Sequence, residues 1–526
     1  MANQNRFATT PTISISRSKF VRKSQRKTTI KIGEITPIYL DEVLPGDTRK
    51  IDIASLIRGL TMVVPIMDNI HCDLFAFYAP NRILWTHWKE FMGENNTSAG
   101  VYQGTEYTIP ANKLGYDYDE VGVGSLGDHL GLPLYNSNKG TDWEPVSALP
   151  LRMYKIIYNE WFRDQNLIAP VSVSLGDTSS DLYSMSLYKA AKDHDYFTSC
   201  LPYAQKGAPV TIPLGFAAPV IGVNEANTSY TGADISMKIA GVSAKSDAPL
   251  SWFADSDHKG GVYADLSQAT AATINDLRFA FQYQKLLERD ALYGTRYWEI
   301  LKGHFGVSAP DASLQRPELL GHRRIHVNID QVLQTTGSDV GTPSSNTLGN
   351  PGSISVTGDV GNVVSKSFTE HGYIMILAVF RHDQTYGQGI NKMWSRSVRT
   401  DFYFPEFANL GAQKVLNKEI YQSGHSSTDM DIFGYQEAWA EYRFKPSECT
   451  GLVRPDVNGI GFWTLANNFG STPTLSQSFI EQGSANLHRS TNGAAAGYDF
   501  ICDFAFKDIA VRPMPMYSIP GLIDHH

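Results

Sequence analysis

The sequence predicts a mainly β protein, an antiparallel sandwich compatible with an eight-stranded jelly roll, with long loop insertions that contain a few helices. Three observations predict it. Glycine (44), proline (26) and aromatic residues (11%) are plentiful while charged residues make up only 19%, a balance that favours strands and structured loops over bundles or disorder. Period-two alternation is strong near both ends of the chain, as a jelly roll needs, because its first and last strands lie in one sandwich. Helical spacing is confined to two internal stretches, which read as parts of insertions and not as a βαβ series.

The elements follow in order. Arg6, Arg17, Lys19, Arg22, Lys23, Arg26, Lys27 and Lys31 all precede the first acidic residue, Glu34, in a chain of net charge −8. Residues 1–27 therefore read as a basic arm on an acidic body. Residues 28–221 read as the first part of the sandwich with insertions. There Ile30 and Ile32 share a strand face, and Ile70, Cys72, Leu74, Ala76 and Tyr78 alternate until Pro80 and Asn81 close the strand. Leu151, Tyr154, Ile157, Tyr158 and Trp161 recur at helical spacing after Pro150. Residues 222–261 carry NEANTSYTGAD and WFADSDHKGG with no clear period, so they read as an exposed insertion.

Residues 262–526 hold the rest of the sandwich. Ile274, Leu277, Phe281 and Gln284 give a second helix that ends at Gly294. Gly93–Gly104 and Gln334–Asp359 are rich in turn formers and read as loops. Tyr373–Phe380 is the longest apolar run; it is far short of the ~20 residues a membrane helix needs and fits a buried strand. With no apolar leader at the start, the expectation is a soluble, unexported protein. Tyr498, Phe500, Cys502, Phe504 and Phe506 alternate with Asp499, Asp503 and Lys507 in a last strand. The tail VRPMPMYSIPGLIDHH has three prolines and runs extended. Its Met514, Met516, Tyr517, Ile519 and Leu522 are too apolar for a free tail, so burial is expected, against its own body or a neighbouring subunit. Cys72, Cys200, Cys449 and Cys502 lie far apart, with no C-x-x-C pair, and read as buried free thiols of a reducing compartment.

No enzyme signature stands up: there is no phosphate loop, H-E-x-x-H, G-x-S-x-G elbow or zinc pattern. No catalytic residue, cofactor or metal is expected. Asp193, His194 and Asp195, and again Asp255, Asp257 and His258, are potential ligand types. Neighbours on an extended chain point to opposite faces, so both runs read as solvated loop polarity. The basic arm has the clearest electrostatic meaning: Arg17, Lys19, Arg22, Lys23, Arg26 and Lys27 would neutralise phosphates of a nucleic acid, and Phe20 could stack on a base.

Many blocks carry a family resemblance. VPIMDNIHCDLFAFYAPNRILWTHW, FTSCLPYAQKGAPVTIPLG, QKLLERDALYGTRYWEILKGHFGV, SFTEHGY, NKMWSR, FGYQEAWAEYRFKPS and the terminal RPMPMYSIPGLIDH, in register from about Ser18 onward, resemble the major capsid protein of the gokushovirus branch of the Microviridae. The resemblance implies a viral β-jelly roll and the smallest icosahedral shell, with one copy per asymmetric unit. That shell would enclose a circular single-stranded DNA genome and be assembled in the bacterial host cytoplasm. Implied partners are other copies of the chain, a small basic DNA-binding protein, an internal scaffolding protein and a minor pilot protein. A long insertion would project at the threefold axes toward a host cell-surface receptor. Residues 222–261 are the candidate, with Asn227, Tyr230, Asp234, Trp252 and Asp255 as host-contact residues.

The competing reading is a jelly-roll carbohydrate-binding protein or hydrolase, since fold does not fix function. A monomeric single-strand-binding protein fits less well, because the acidic body would repel nucleic acid over most of its surface. Deleting residues 225–259 should leave assembly intact and abolish adsorption to cells; failure to assemble with a folded subunit would make the insertion structural.

Overall fold

The computed structural model describes residues 15–94, 107–112, 121–134, 145–177, 186–210, 220–222, 262–264, 274–333, 335, 351–491 and 497–517. They fall into two units, one formed by residues 1–204 with 293–526 and the other by residues 205–292.

The first unit is built on eight long strands: β1 (Ser18–Ile30), β2 (Thr36–Val43), β3 (Thr48–Gly59), β4 (Ile70–Pro80), β5 (Glu318–His326), β6 (Val356–Ser367), β7 (Gly372–His382) and β8 (Phe500–Arg512). They make two four-stranded sheets, ordered β1-β8-β3-β6 and β2-β7-β4-β5, with every neighbouring pair antiparallel. Successive strands at the start of the chain alternate between the sheets, and the first strand pairs with the last. Two connections are long, residues 81–317 between β4 and β5 and residues 383–499 between β7 and β8.

The core between the sheets collects Ile51, Ile53 and Ile57 of β3, Phe500, Cys502, Phe504 and Phe506 of β8, Cys72, Leu74 and Ala76 of β4, and Ile374, Ile376 and Phe380 of β7. Phe380 stacks on Phe500 with ring centroids 4.1 Å apart. β4 and β7 are buried on their other face too. Phe77, Ala79, Tyr373, Met375, Leu377 and Val379 meet Trp85 and the helix α1 (Leu149–Ile157) in a second core. The unbroken run Tyr373–Phe380 follows from this, since a strand covered on both sides has no wet face. The predicted first helix is α1, and its chain continues as one π-helical turn through Tyr158–Phe162. In the second unit, Val220–Gly222 pairs with Val262–Ala264, and α2 (Ile274–Tyr293) supplies the predicted second helix. All four cysteines are buried and free. No helix among the described residues is long and apolar enough to cross a membrane.

Three expectations change. The segment read as an arm is ordered strand from Ser18, pairing residue for residue with β8. The loop expected up to Asp359 is partly sheet, because Pro351–Ile354 pairs with Asp330–Leu333 and β6 starts at Val356. Within β6 the Arg323 guanidinium lies over Gly361, 2.3 Å from where a Cβ would stand. Of the tail, Met514, Met516 and Tyr517 are exposed, so the described part is not buried on its own body; Ile519 and Leu522 lie outside the described residues.

A buried charge network ties β1, β2, β3 and β8 together. Arg49 is fully buried. Its Nε donates to Asp508 Oδ1 at 3.0 Å and its Nη1 to the Glu42 carbonyl at 3.2 Å. Its Nη2 reaches Asp41 and Asp508, and Arg22 bridges the same two carboxylates. Arg512 Nε sits 3.1 Å from buried Asp47. Burial pushes the Asp41 carboxyl up, but Arg22 and Arg49 outweigh it and hold it below the usual carboxylate value. Three arginines thus balance three aspartates. Removing one partner of such a network strands its counter-charge, at a cost of roughly 3–5 kcal/mol. Arg49→Met should therefore lower the subunit's unfolding free energy in urea by about that much; a loss under about 1 kcal/mol would mean that Arg22 alone satisfies both aspartates.

Candidate functional site

The predicted phosphate-binding residues divide along β1. Because side chains alternate on a strand, Lys19, Lys23 and Lys27 point away from the core and are exposed, together with Val21 and Gln25. Arg22 and Arg26 point the other way. Arg22 is held in the Arg49 network, and Arg26 Nη1 donates to the carbonyl of His129. Arg17 is exposed just ahead of the strand. Phe20 sits on the inward side opposite fully buried Ala510, which corrects the expectation that it could stack on a base.

Strand pairing brings further cations onto the outward face. Lys507 lies directly across from Lys23. On β3, Lys50 and Arg58 stand opposite Ile509 and Ile501, and Asp52 opposite Lys507. Sequence reasoning missed Lys50, Arg58 and Lys507. Their period-two placement was visible, but the register that unites them was not. The host-contact candidates Asn227, Tyr230, Asp234, Trp252 and Asp255, and the run Asp255, Asp257 and His258, lie outside the described residues.

The other acid–histidine run is not loop polarity. Asp73, fully buried, takes hydrogen bonds from Arg324 at 2.8 and 2.9 Å and from Arg381 at 2.9 Å. Asp193 lies 3.0 Å from His71 Nε2 and 3.4 Å from Arg324 Nη2. Asp195 accepts from the backbone N–H groups of Phe197 (2.9 Å) and Thr198 (2.7 Å) and from the Tyr386 hydroxyl (2.6 Å). Only His194 of the three is exposed. The run was misread because its partners are supplied by distant strands. His71, Asp193 and Asp383 bring ligand atoms within 4.8 Å of one another, but Arg324 and Arg381 already give Asp193 its counter-charge, which disfavours an added cation.

Burial pushes Asp193 up, yet His71 and the two guanidiniums prevail and hold it at about 2. Burial also depresses His382 to about 4, outweighing its bond to the Asp383 carbonyl. The unfolded chain binds a proton at His382 near its ordinary value of 6.5 and the folded one only near 4. This stability is present above 6.5 and lost as pH falls toward 4, and Asp193 extends the loss toward 2. His382→Gln should flatten the melting temperature between pH 6.5 and 4; an unchanged slope would place the titration at another group.

The comparisons with known proteins agree across the chain. A family model described as capsid protein (F protein) matches residues 8–522. The capsid protein VP1 of Bdellovibrio phage phiMH2K is 41% identical over 544 aligned residues, covering 99% of this chain and 98% of that protein. Capsid protein VP1 of Chlamydia phage 1 is 35% identical, covering 99% and 98%. That of Spiroplasma virus 4 is 37% identical, covering 97% and 96%. The chain belongs to the phage capsid protein (F protein) family, in the gokushovirus branch of the Microviridae.

Proposed function

We propose that this virion protein closes as a T=1 icosahedral shell around a circular single-stranded DNA genome, on a viral jelly-roll fold. The strand order supports the jelly roll: two antiparallel four-stranded sheets, β1-β8-β3-β6 and β2-β7-β4-β5, are what two Greek keys folded into a sandwich would give. One observation carries the shell. Between Met393 and Leu410, Met393, Trp394, Val398, Phe402, Tyr403 and Leu410 are all exposed, with Trp394 at 76% and Leu410 at 50%. Met516 and Tyr517 of the tail are bare as well. A monomer rarely presents so many large apolar side chains together, whereas neighbouring copies would bury them.

The remaining partners rest on the family: a small basic DNA-binding protein, an internal scaffolding protein and a minor pilot protein. Residues 222–261 are proposed as the projecting insertion that meets a host cell-surface receptor, and the cations of β1 as contacts to DNA. The measurement is electron microscopy of the chain co-expressed with its neighbouring phage genes, with nuclease protection on the same fractions. Uniform isometric particles protecting single-stranded DNA are expected. A soluble monomer made alongside its full set of assembly partners would overturn the shell.

A further inference from the structure

The two sheets are treated differently by the rest of the chain. The outward face of β2-β7-β4-β5 is sealed under the second core. Among the described residues no second core covers the outward face of β1-β8-β3-β6, and the turn around Asp128–Gly131 borders its edge beside Lys27 and Thr29. Its side chains form a grid. Reading across β1, β8, β3 and β6, one row is Val21, Ile509, Lys50 and Ser365. The next is Lys23, Lys507, Asp52 and Asn362, and the third is Gln25, Ala505, Ala54 and Val360. Small residues floor the middle, leaving a shallow groove lined by Lys23, Gln25, Ala54, Asn362, Ala505 and Lys507, among others.

The charge on this face is one-sided. On the strands of this face Lys19, Lys23, Lys27, Lys50, Arg58 and Lys507 meet Asp52 and Asp503, an excess of four positive charges, or three once Asp128 of the bordering turn is counted, in a chain of net charge −8. Among the described residues none of the six cations makes an ion pair. Lys23 and Lys507 are direct cross-strand neighbours, a like-charge placement that costs stability; Asp52 stands across from Lys507 on the other side, and an anion over both lysines would offset the rest. Lys19, Lys23 and Lys27 repeat every four residues, about 13 Å apart along the strand. The grid has no aromatic side chain, so it offers no platform on which bases would stack.

We propose that this open sheet face is the track for the packaged single strand, holding its phosphates through Lys23, Lys50 and Lys507 at the centre with Lys19, Lys27 and Arg58 around them, and reading no base. The inference rests on the DNA-containing shell proposed above and assigns where on the subunit the polyanion runs. Charge complementarity selects the occupant: a basic protein would be repelled, and a neighbouring copy would have to bury six cations against a surface of matching acid.

The test uses the full chain and a variant carrying Lys23→Ala, Lys50→Ala and Lys507→Ala; Arg22 and Arg26 are left intact because the fold uses them. Binding of a fluorescent deoxythymidine 20-mer is followed against salt. The slope of log affinity on log salt should shrink by about 0.7 for each phosphate contact removed, so by about 2 in the triple variant, with equal loss on a mixed-sequence oligomer. Circular dichroism of both proteins guards against misfolding. If the variant is misfolded, ultraviolet cross-linking of bromodeoxyuridine-labelled DNA in wild-type filled particles decides instead, with adducts expected on β1, β3 and β8 peptides. An unchanged slope in a folded variant, or cross-links confined to other elements, would overturn the track while leaving the shell intact. Loss of particle formation with DNA affinity unchanged would make the face a protein contact and also overturn it. Failure of wild-type protein and wild-type particles alike to hold DNA would instead remove the packaging function itself.

Discussion

Burial of β4 and β7 on both faces is the constraint from which the rest of the subunit follows. These two strands are adjacent in the middle of one sheet. They face the other sheet through Leu74, Ile374 and Ile376 and face away from it through Phe77, Met375 and Leu377. A sheet made this way has no side it can offer to water, so part of the long connection after β4 is obligatory cover. Trp85 and Tyr154 provide it, and the Tyr154 hydroxyl fastens the cover by donating to the Ile35 carbonyl at 2.8 Å. Among the described residues the other sheet has no such lid, and its outward lysines suit that face to water.

How much of this could be read beforehand depended on whether a segment has one wet face. β8 was legible because Phe500, Cys502, Phe504 and Phe506 go in while Ile501, Asp503 and Lys507 stay out. β1 was not, because its inward positions include Arg22 and Arg26, whose charges are satisfied by Asp41, Asp508 and a carbonyl far away in the chain. Polarity on both faces of a strand erases the period. β6 was hidden by Gly358 and Gly361, which interrupt its pattern, and Arg323 lies where a Cβ on Gly361 would stand. The helices α1 and α2 were legible from spacing alone, since their apolar stripes are local.

The same limit explains the sites. Charge composition identified β1 as cationic, but the division into structural arginines and free lysines needs the pairing of strands. Lys50 and Lys507 are remote in the sequence and come onto adjacent strands, diagonally, only through that register, in which Lys507 faces Asp52 and Lys50 faces Ile509. Asp193 and Asp195 looked like solvated loop residues because Arg324, Arg381 and Tyr386 are likewise remote. The family resemblance, by contrast, was legible in full: its blocks run in order, and relatives align over 97% or more of the chain.

The hairpin that joins Val220–Gly222 to Val262–Ala264 has an evolutionary consequence. A segment that leaves and returns through paired strands presents its scaffold with the same two ends whatever its contents. Doubling the length of a flexible loop adds only about 0.6 kcal/mol of closure entropy. Insertions or deletions between the two strands therefore add little closure entropy, and the pairing of Val220–Gly222 with Val262–Ala264 can stay as it is while the number of residues between them changes.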